Sequence, residues 1–111
     1  MKNKIRILNK IKPFKKIIEV SGDKSISIRS ILLASQAIGT SRIYNLLESE
    51  DVINTLKSIK KLGINFKKKK KYYEIYGFGL NGYKTNSNTV INAGNSGTLA
   101  RLILGLLINL K

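Results

Sequence analysis

SEDVINTLKSIKKLG, Ser49 to Gly63, is the clearest helix in the chain. Ser49 stands as N-cap with Glu50 and Asp51 in the first turn, and Val52, Ile53, Leu56 and Ile59 fall on one face. Lys57, Lys60 and Lys61 fill the last turn ahead of Gly63, so the charges at both ends suit the helix dipole. After it, Ile64 to Phe66 and Tyr72 to Tyr76 read as two strands of a hairpin. The lysines from Lys67 to Lys71 that join them repel one another and belong in a solvated turn. Before it, Ser41 to Leu46 reads as a short strand. The order is thus strand, helix, strand, strand.

Further towards the start, a helix opens near Ser25, with Asp23 or Ser25 as cap. Ile28, Ile31, Leu32, Ser35 and Ile38 recur at spacings of three and four, and Gly39 supplies a left-handed stop. Ile5, Ile7 and Ile11, then Ile17, Ile18 and Val20, suggest one or two short strands leading up to Gly22. Residues Gly77 to Asn92 are rich in Gly, Asn and Thr and read as loop, with a short extended piece at Thr89 to Ile91. The last helix opens at Asn95 or Ser96 and carries Leu99, Leu102, Ile103, Leu106, Leu107 and Leu110. It is apolar on more than one face and wants cover on both sides. From that need, and from the stop at Lys111 without a cap, a fragment is expected.

Composition narrows the chemistry. The chain has 111 residues, a net charge of +15, no His and no Cys. This length suits one domain at most, and the absent residue types rule out disulfides, a thiolate nucleophile, an imidazole base and zinc sites of the usual kind. The charge points to anionic partners: nucleic acid, an acidic membrane surface or a small phosphorylated or carboxylated molecule. There are 17 Lys to 4 Arg, and Lys, Ile and Asn make up 40% of the chain, so codon drift in an AT-rich gene explains much of the charge equally well. No signal-peptide stretch is evident, and Leu102 to Ile108 is too short to span a membrane, so a soluble cytoplasmic protein is expected.

Two polar clusters sit at helix starts, where unpaired amides and the dipole favour an anion. The first is GDKSISIR, Gly22 to Arg29. Lys24 and Ser25 lie at the turn and Arg29 one turn after Ser25, so an ammonium, a hydroxyl and a guanidinium converge in a set suited to phosphate or carboxylate. It is not a phosphate-binding P-loop, because Asp23 stands where the motif needs Gly. The second is NAGNSGTLAR, Asn92 to Arg101. Gly94 and Gly97 allow close backbone approach, the amides from Asn95 to Thr98 can form an anion nest, and Arg101 follows Gly97 by one turn. An ordinary capped helix explains either cluster alone; two in one short chain favour a binding role.

GDKSISIR, then LLASQAIGTSRIYNLLESEDVINTLKSIKKLGI, then GNSGTLAR resemble the opening portion of the 5-enolpyruvylshikimate-3-phosphate (EPSP) synthase family. The resemblance runs from about Gly22 to Leu107 and covers the first quarter or so of that family's length. It implies a two-domain inside-out α/β barrel built from βαβαββ units, in which residues 1–21 pair with the other domain and residues 22–111 begin an incomplete enolpyruvyl transferase domain. Gly22 to Ser25 would lie by a hinge between closing domains. The implied reaction transfers the enolpyruvyl group of phosphoenolpyruvate to the 5-hydroxyl of shikimate 3-phosphate through a tetrahedral intermediate, with loss of phosphate and without metal or organic cofactor.

By the same resemblance Lys24 contacts both substrates, Ser25 and Arg29 hold shikimate 3-phosphate, and Gly97, Asn95 and Arg101 meet phosphoenolpyruvate. The family's acid and base, an Asp and a Glu, lie beyond Lys111, so no catalytic residue is expected in the fragment. Glu48, Glu50 and Asp51 are better explained as helix-start residues. Ile28 departs from the His or Asn common before the motif arginine and removes a polar neighbour from the shikimate phosphate region. The implied partners are the two small substrates, with neither nucleic acid nor membrane, and the full-length protein is expected to be a monomer. The related UDP-N-acetylglucosamine enolpyruvyl transferases fit less well, for want of their GAKN-like opening and catalytic Cys.

The competing reading is a small basic nucleic-acid-binding domain, with Lys67 to Lys71 as its cationic patch and Tyr72, Tyr73 and Tyr76 as a stacking platform. A third is a remnant without activity, against which the intact Lys24, Ser25, Arg29 and Gly97 speak.

Overall fold

A computed structural model describes residues 3–10 and 12–108. The elements run α1 (Lys24–Gln36), β1 (Ile38–Tyr44), α2 (Glu50–Lys61), β2 (Asn65–Lys68), β3 (Tyr72–Phe78) and α3 (Gly97–Leu107). β3 lies in the middle of an antiparallel sheet of order β1-β3-β2. Its register sets Ser41 against Ile75 on one side and Phe66 against Ile75 on the other. Along β3, Tyr73, Ile75 and Gly77 are buried while Tyr72, Glu74 and Tyr76 are only half-covered and Phe78 is exposed, the alternation of a sheet with one covered face.

The covering layer is α1 and α2. Ile28 and Ile31 from α1, Val52, Leu56 and Ile59 from α2, and Ile75 from β3 are all at least 98% buried in one cluster, joined by Leu99 and Ile103 of α3. α2 follows the sequence reading closely, with acids in its first turn, Lys60 and Lys61 in its last, and Gly63 at a positive φ of 87°. Ser49 is its N-cap, although the Ser49 hydroxyl makes no capping bond and is buried without a partner.

Several boundaries differ from expectation. α1 ends at Gln36, and Gly39 is not its stop: Gly39 lies inside β1 opposite Gly77, at φ 95°. β1 accordingly starts at Ile38, which is exposed on the sheet rather than part of a helix face. Gly77 explains the early turn, since α1 brings the carbonyls of Ala34 and Ala37 directly onto it. Lys67 and Lys68 belong to β2, which shortens the hairpin turn to Lys69 to Lys71. Thr89 to Ile91 forms no strand, having no ladder to join.

The short strands expected before Gly22 are also absent among the described residues. Ile5, Ile7 and Ile17 are each more than 80% exposed, and the radius of gyration is 18.2 Å where a compact chain of this length gives about 13 Å. A strand needs hydrogen-bonding partners on at least one side, and none is offered here. Ile11, Leu110 and Lys111 fall outside the described residues. α3 carries the expected surplus of apolar surface: Leu99 and Ile103 are buried, while Leu104 and Ile108 are 65% and 79% exposed.

Candidate functional site

The loop after β3 decides how the two polar clusters meet. Residues 79–96 run back along α2 from its end to its beginning: the Lys84 amide donates to Leu62 O at 2.8 Å, and Lys61 Nζ donates to Val90 O at 2.9 Å. Gly94 then lies on Asn54, so close that a β-carbon there would sit 2.6 Å from Asn54 Nδ2. At the same end of α2, one turn earlier, Asp51 Oδ2 is 3.1 Å from Lys24 Nζ. Lys24, in the first turn of α1, and Gly94, just ahead of α3, are thereby both tied to the first turns of α2.

The starts of α1 and α3, unlike that of α2, are capped by side chains from within the chain. At α1, Asp23 Oδ1 accepts from the Ile26 amide at 2.8 Å and Asp23 O from the Ser27 amide at 2.9 Å. The amides of Lys24 and Ser25 precede the first of these bonds and stay available to a ligand. At α3, Ser96 Oγ accepts from the Leu99 amide at 3.0 Å, and Ser96 N donates to Ala93 O at 3.0 Å. That second bond corrects the nest expected from Asn95 to Thr98: the Ser96 amide is already engaged, which leaves those of Asn95, Gly97 and Thr98. The Gly94 amide is taken by Asn92 Oδ1 at 2.8 Å, and Gly94 has φ 56°.

The side chains are arranged less tightly than their spacing suggested. Ser25 is half-buried, Arg29 is exposed without a hydrogen bond or ion pair among the described residues, and Lys24 turns to α2 instead of joining them. Arg29 borders a cavity of about 240 Å³ between α1 and α3, lined otherwise by Leu32, Leu33, Gln36, Leu102 and Leu106. Arg101 folds back on its own helix, with Nε donating to Gly97 O at 3.1 Å. Asn95 is exposed. Ile28 is wholly buried in the core. It therefore faces away from the exposed side of α1 that carries Arg29.

Sequence reasoning missed three features. Asp51 is more than a helix-start residue, since it is the partner of Lys24; nothing in the spacing links positions 24 and 51. Ser27, also buried, accepts from the Leu47 amide at 3.1 Å and ties α1 to the approach to α2. Glu48, unlike Asp51, lies outside the helix start. Its Oε1 takes Lys68 Nζ and Tyr73 Oη, both at 2.6 Å, which joins β2 and β3 to the segment before α2. The Lys68 and Tyr73 hydrogen bonds pull the Glu48 carboxyl below its ordinary range, Glu48 in turn raises Lys68, and desolvation raises Tyr73. This cluster lies at the hairpin, and its shifted groups serve the fold.

The stacking platform of the competing reading is divided by the sheet: Tyr73 is buried on the inner face, and Tyr72 and Tyr76 lie on the outer one. No group of three His, Cys, Asp or Glu suited to a metal occurs among the described residues. No helix there is long and apolar enough to cross a membrane.

A family model described as EPSP synthase (3-phosphoshikimate 1-carboxyvinyltransferase) matches residues 8–111. The chain belongs to the EPSP synthase family. Among relatives named 3-phosphoshikimate 1-carboxyvinyltransferase, that of Vesicomyosocius okutanii is 47% identical over 90 residues, 81% of this chain and 20% of its own length. That of Streptococcus mutans is 43% identical over 90 residues, again 81% of this chain and 21% of its own. An EPSP synthase structure from Acinetobacter baumannii superposes with TM-score 0.76 at 37% identity, over 85% of this chain and 21% of that one. The fold is thus part of the two-domain inside-out α/β architecture of EPSP synthases. The chain spans about a fifth of the length of the relatives it matches.

Proposed function

We propose that the chain is the opening part of an EPSP synthase. Completed by the rest of such an enzyme, it transfers the enolpyruvyl group of phosphoenolpyruvate to the 5-hydroxyl of shikimate 3-phosphate and releases phosphate. The observation that carries this reading is that Lys24 and Gly94, just ahead of Gly97, are both tied to the first turns of α2. Both substrates are polyanions, and bringing them together calls for cations and oriented amides at fixed places.

In this reading Lys24 touches both substrates, and Ser25 and Arg29 hold shikimate 3-phosphate. The Gly97 amide, with Asn95 and Arg101, meets phosphoenolpyruvate. The acid and base that move protons lie in the remainder of the enzyme, and neither metal nor organic cofactor takes part. Residues 1–21 pair with the second domain, and residues 22–111 begin the first. The full-length protein is a cytoplasmic monomer.

The test is a graft in which this chain replaces the matching segment of the Acinetobacter baumannii enzyme, assayed for phosphate release with both substrates. The graft is expected to turn over, to lose activity on Lys24→Met or Arg29→Ala, and the 111-residue chain alone to be inactive. A folded graft without turnover, or an active isolated chain, would overturn the proposal.

A further inference from the structure

We infer that Asp51 is a positioning residue for Lys24, an inference that rests on the reading of Lys24 as a substrate contact. A lysine ammonium is a point charge on a flexible four-carbon stem, and nothing in the first turn of α1 fixes where it stands. Asp51 does. Its side chain is 13% exposed and lies 3.1 Å from Lys24 Nζ, while the Lys24 side chain remains 53% exposed. The ammonium is held on one side and keeps its other N–H groups open to a ligand.

Two further observations set Asp51 apart from an ordinary first-turn acid. Glu50, its neighbour, is exposed and supplies the same charge to the start of α2 without touching Lys24. Asp51 also stands one turn before Asn54, on which Gly94 rests, so a single stretch of α2 fixes both the ammonium and the turn before Gly97. A carboxylate beside an anion site weakens attraction for the anion. Its benefit must therefore lie in the geometry of the reacting complex, and its removal should show in kcat more than in KM.

The grafted synthase tests this with Asp51→Asn and Glu50→Gln side by side. Asp51→Asn is expected to lower kcat at least about tenfold while KM for phosphoenolpyruvate moves less than about threefold. Glu50→Gln, which removes an equal charge from the helix start, should leave both within about twofold, and the two variants should melt alike. A kcat retained in Asp51→Asn, or an equal loss in Glu50→Gln, would overturn the inference. A parent graft without turnover would instead overturn the functional reading. The pairing itself is then read in the 111-residue chain from the ¹⁵N signal of the Lys24 ammonium, which should broaden in Asp51→Asn; a signal indifferent to that substitution refutes it.

Discussion

Gly77 lies against the carbonyl oxygen of Ala37 so closely that a β-carbon at position 77 would overlap it. The end of α1 thus rests on bare backbone in the central strand, and the Gly79 amide completes the contact by donating to Ala37 O at 3.1 Å. Gly77→Ala must push the helix off the sheet or bend the strand, at a cost of about 1–3 kcal/mol or more. Urea unfolding of the chain measures it. Gly105→Ala, where a β-carbon meets nothing within 4 Å, is the control and should be neutral or stabilising.

The hydroxyls of Ser35 and Tyr83 are hydrogen-bonded in the core. Since Ser35 Oγ donates its own proton to Leu32 O at 2.6 Å, Tyr83 is the donor of the shared bond. Tyr83→Phe removes that donor and leaves Ser35 still bonded, which should cost about 1 kcal/mol. Ser35→Ala strands the buried Tyr83 hydroxyl instead. The double variant should therefore lose less stability than the sum of the two singles, a coupling that a thermal or urea double-mutant cycle reads directly.

Glu48 gives the fold an acid-sensitive joint. Lys68 and Tyr73 hold its carboxyl below the ordinary range, so the native state binds this proton more weakly than the unfolded chain does. The stability it confers is complete above the unfolded value near pH ~4.3 and is lost as the pH falls through the lowered native value. Lys68 and Tyr73 are shifted upward, so their contributions hold at neutral pH and fade as the pH rises through their raised values. Melting temperature against pH should fall less steeply on the acid side in Glu48→Gln than in the parent. The difference should shrink in high salt, because Lys68 and Glu48 are both exposed enough for ions to screen.

Gly94 and Gly97 should respond differently to alanine. A β-carbon at Gly94 meets the Asn54 amide and sits at a positive φ, so Gly94→Ala should destabilise the chain by about 1–2 kcal/mol. At Gly97 it meets only the end of the flexible Arg101 side chain, at 3.5 Å, and Gly97→Ala should leave the melting temperature unchanged or slightly raised. The fold itself thus makes no demand for glycine at 97. Calorimetric titration of the completed enzyme should show the loss in affinity for phosphoenolpyruvate.

What the sequence made legible follows from the range of the interactions involved. α2 could be read end to end, because its cap, its apolar face and its last-turn lysines are local signals that agree with one another. The hairpin, and the start of α3 at Ser96, were legible for the same reason. Gly39 misled because a glycine with positive φ serves a strand as readily as a helix end, and only the approach of α1 to Gly77 decides between them. The segment before Gly22 has the pattern of a strand but, among the described residues, no partner with which to be one. At the site, Lys24, Ser25, Arg29 and Gly97 were legible as helix-start motifs. The Lys24 to Asp51 pair joins positions 27 residues apart and depends on how two helices pack, which no spacing rule reaches. Ile28 shows the opposite limit: a position next in sequence to the candidate residue Arg29 points about a quarter-turn away, into the core.

The strand order also bears on how the chain behaves in concentrated solution. With β3 in the centre, the sheet has two open margins, and they are unequally defended. β2 is four residues long and carries Lys67 and Lys68, whose charges discourage another chain from adding to it. β1 offers seven residues with a single cation, Arg42, which is drawn over the Tyr72 ring at 5.2 Å. Self-association by edge-to-edge pairing would start along β1, and a second cation, a lysine introduced at the exposed Thr40, is the economical way to suppress it.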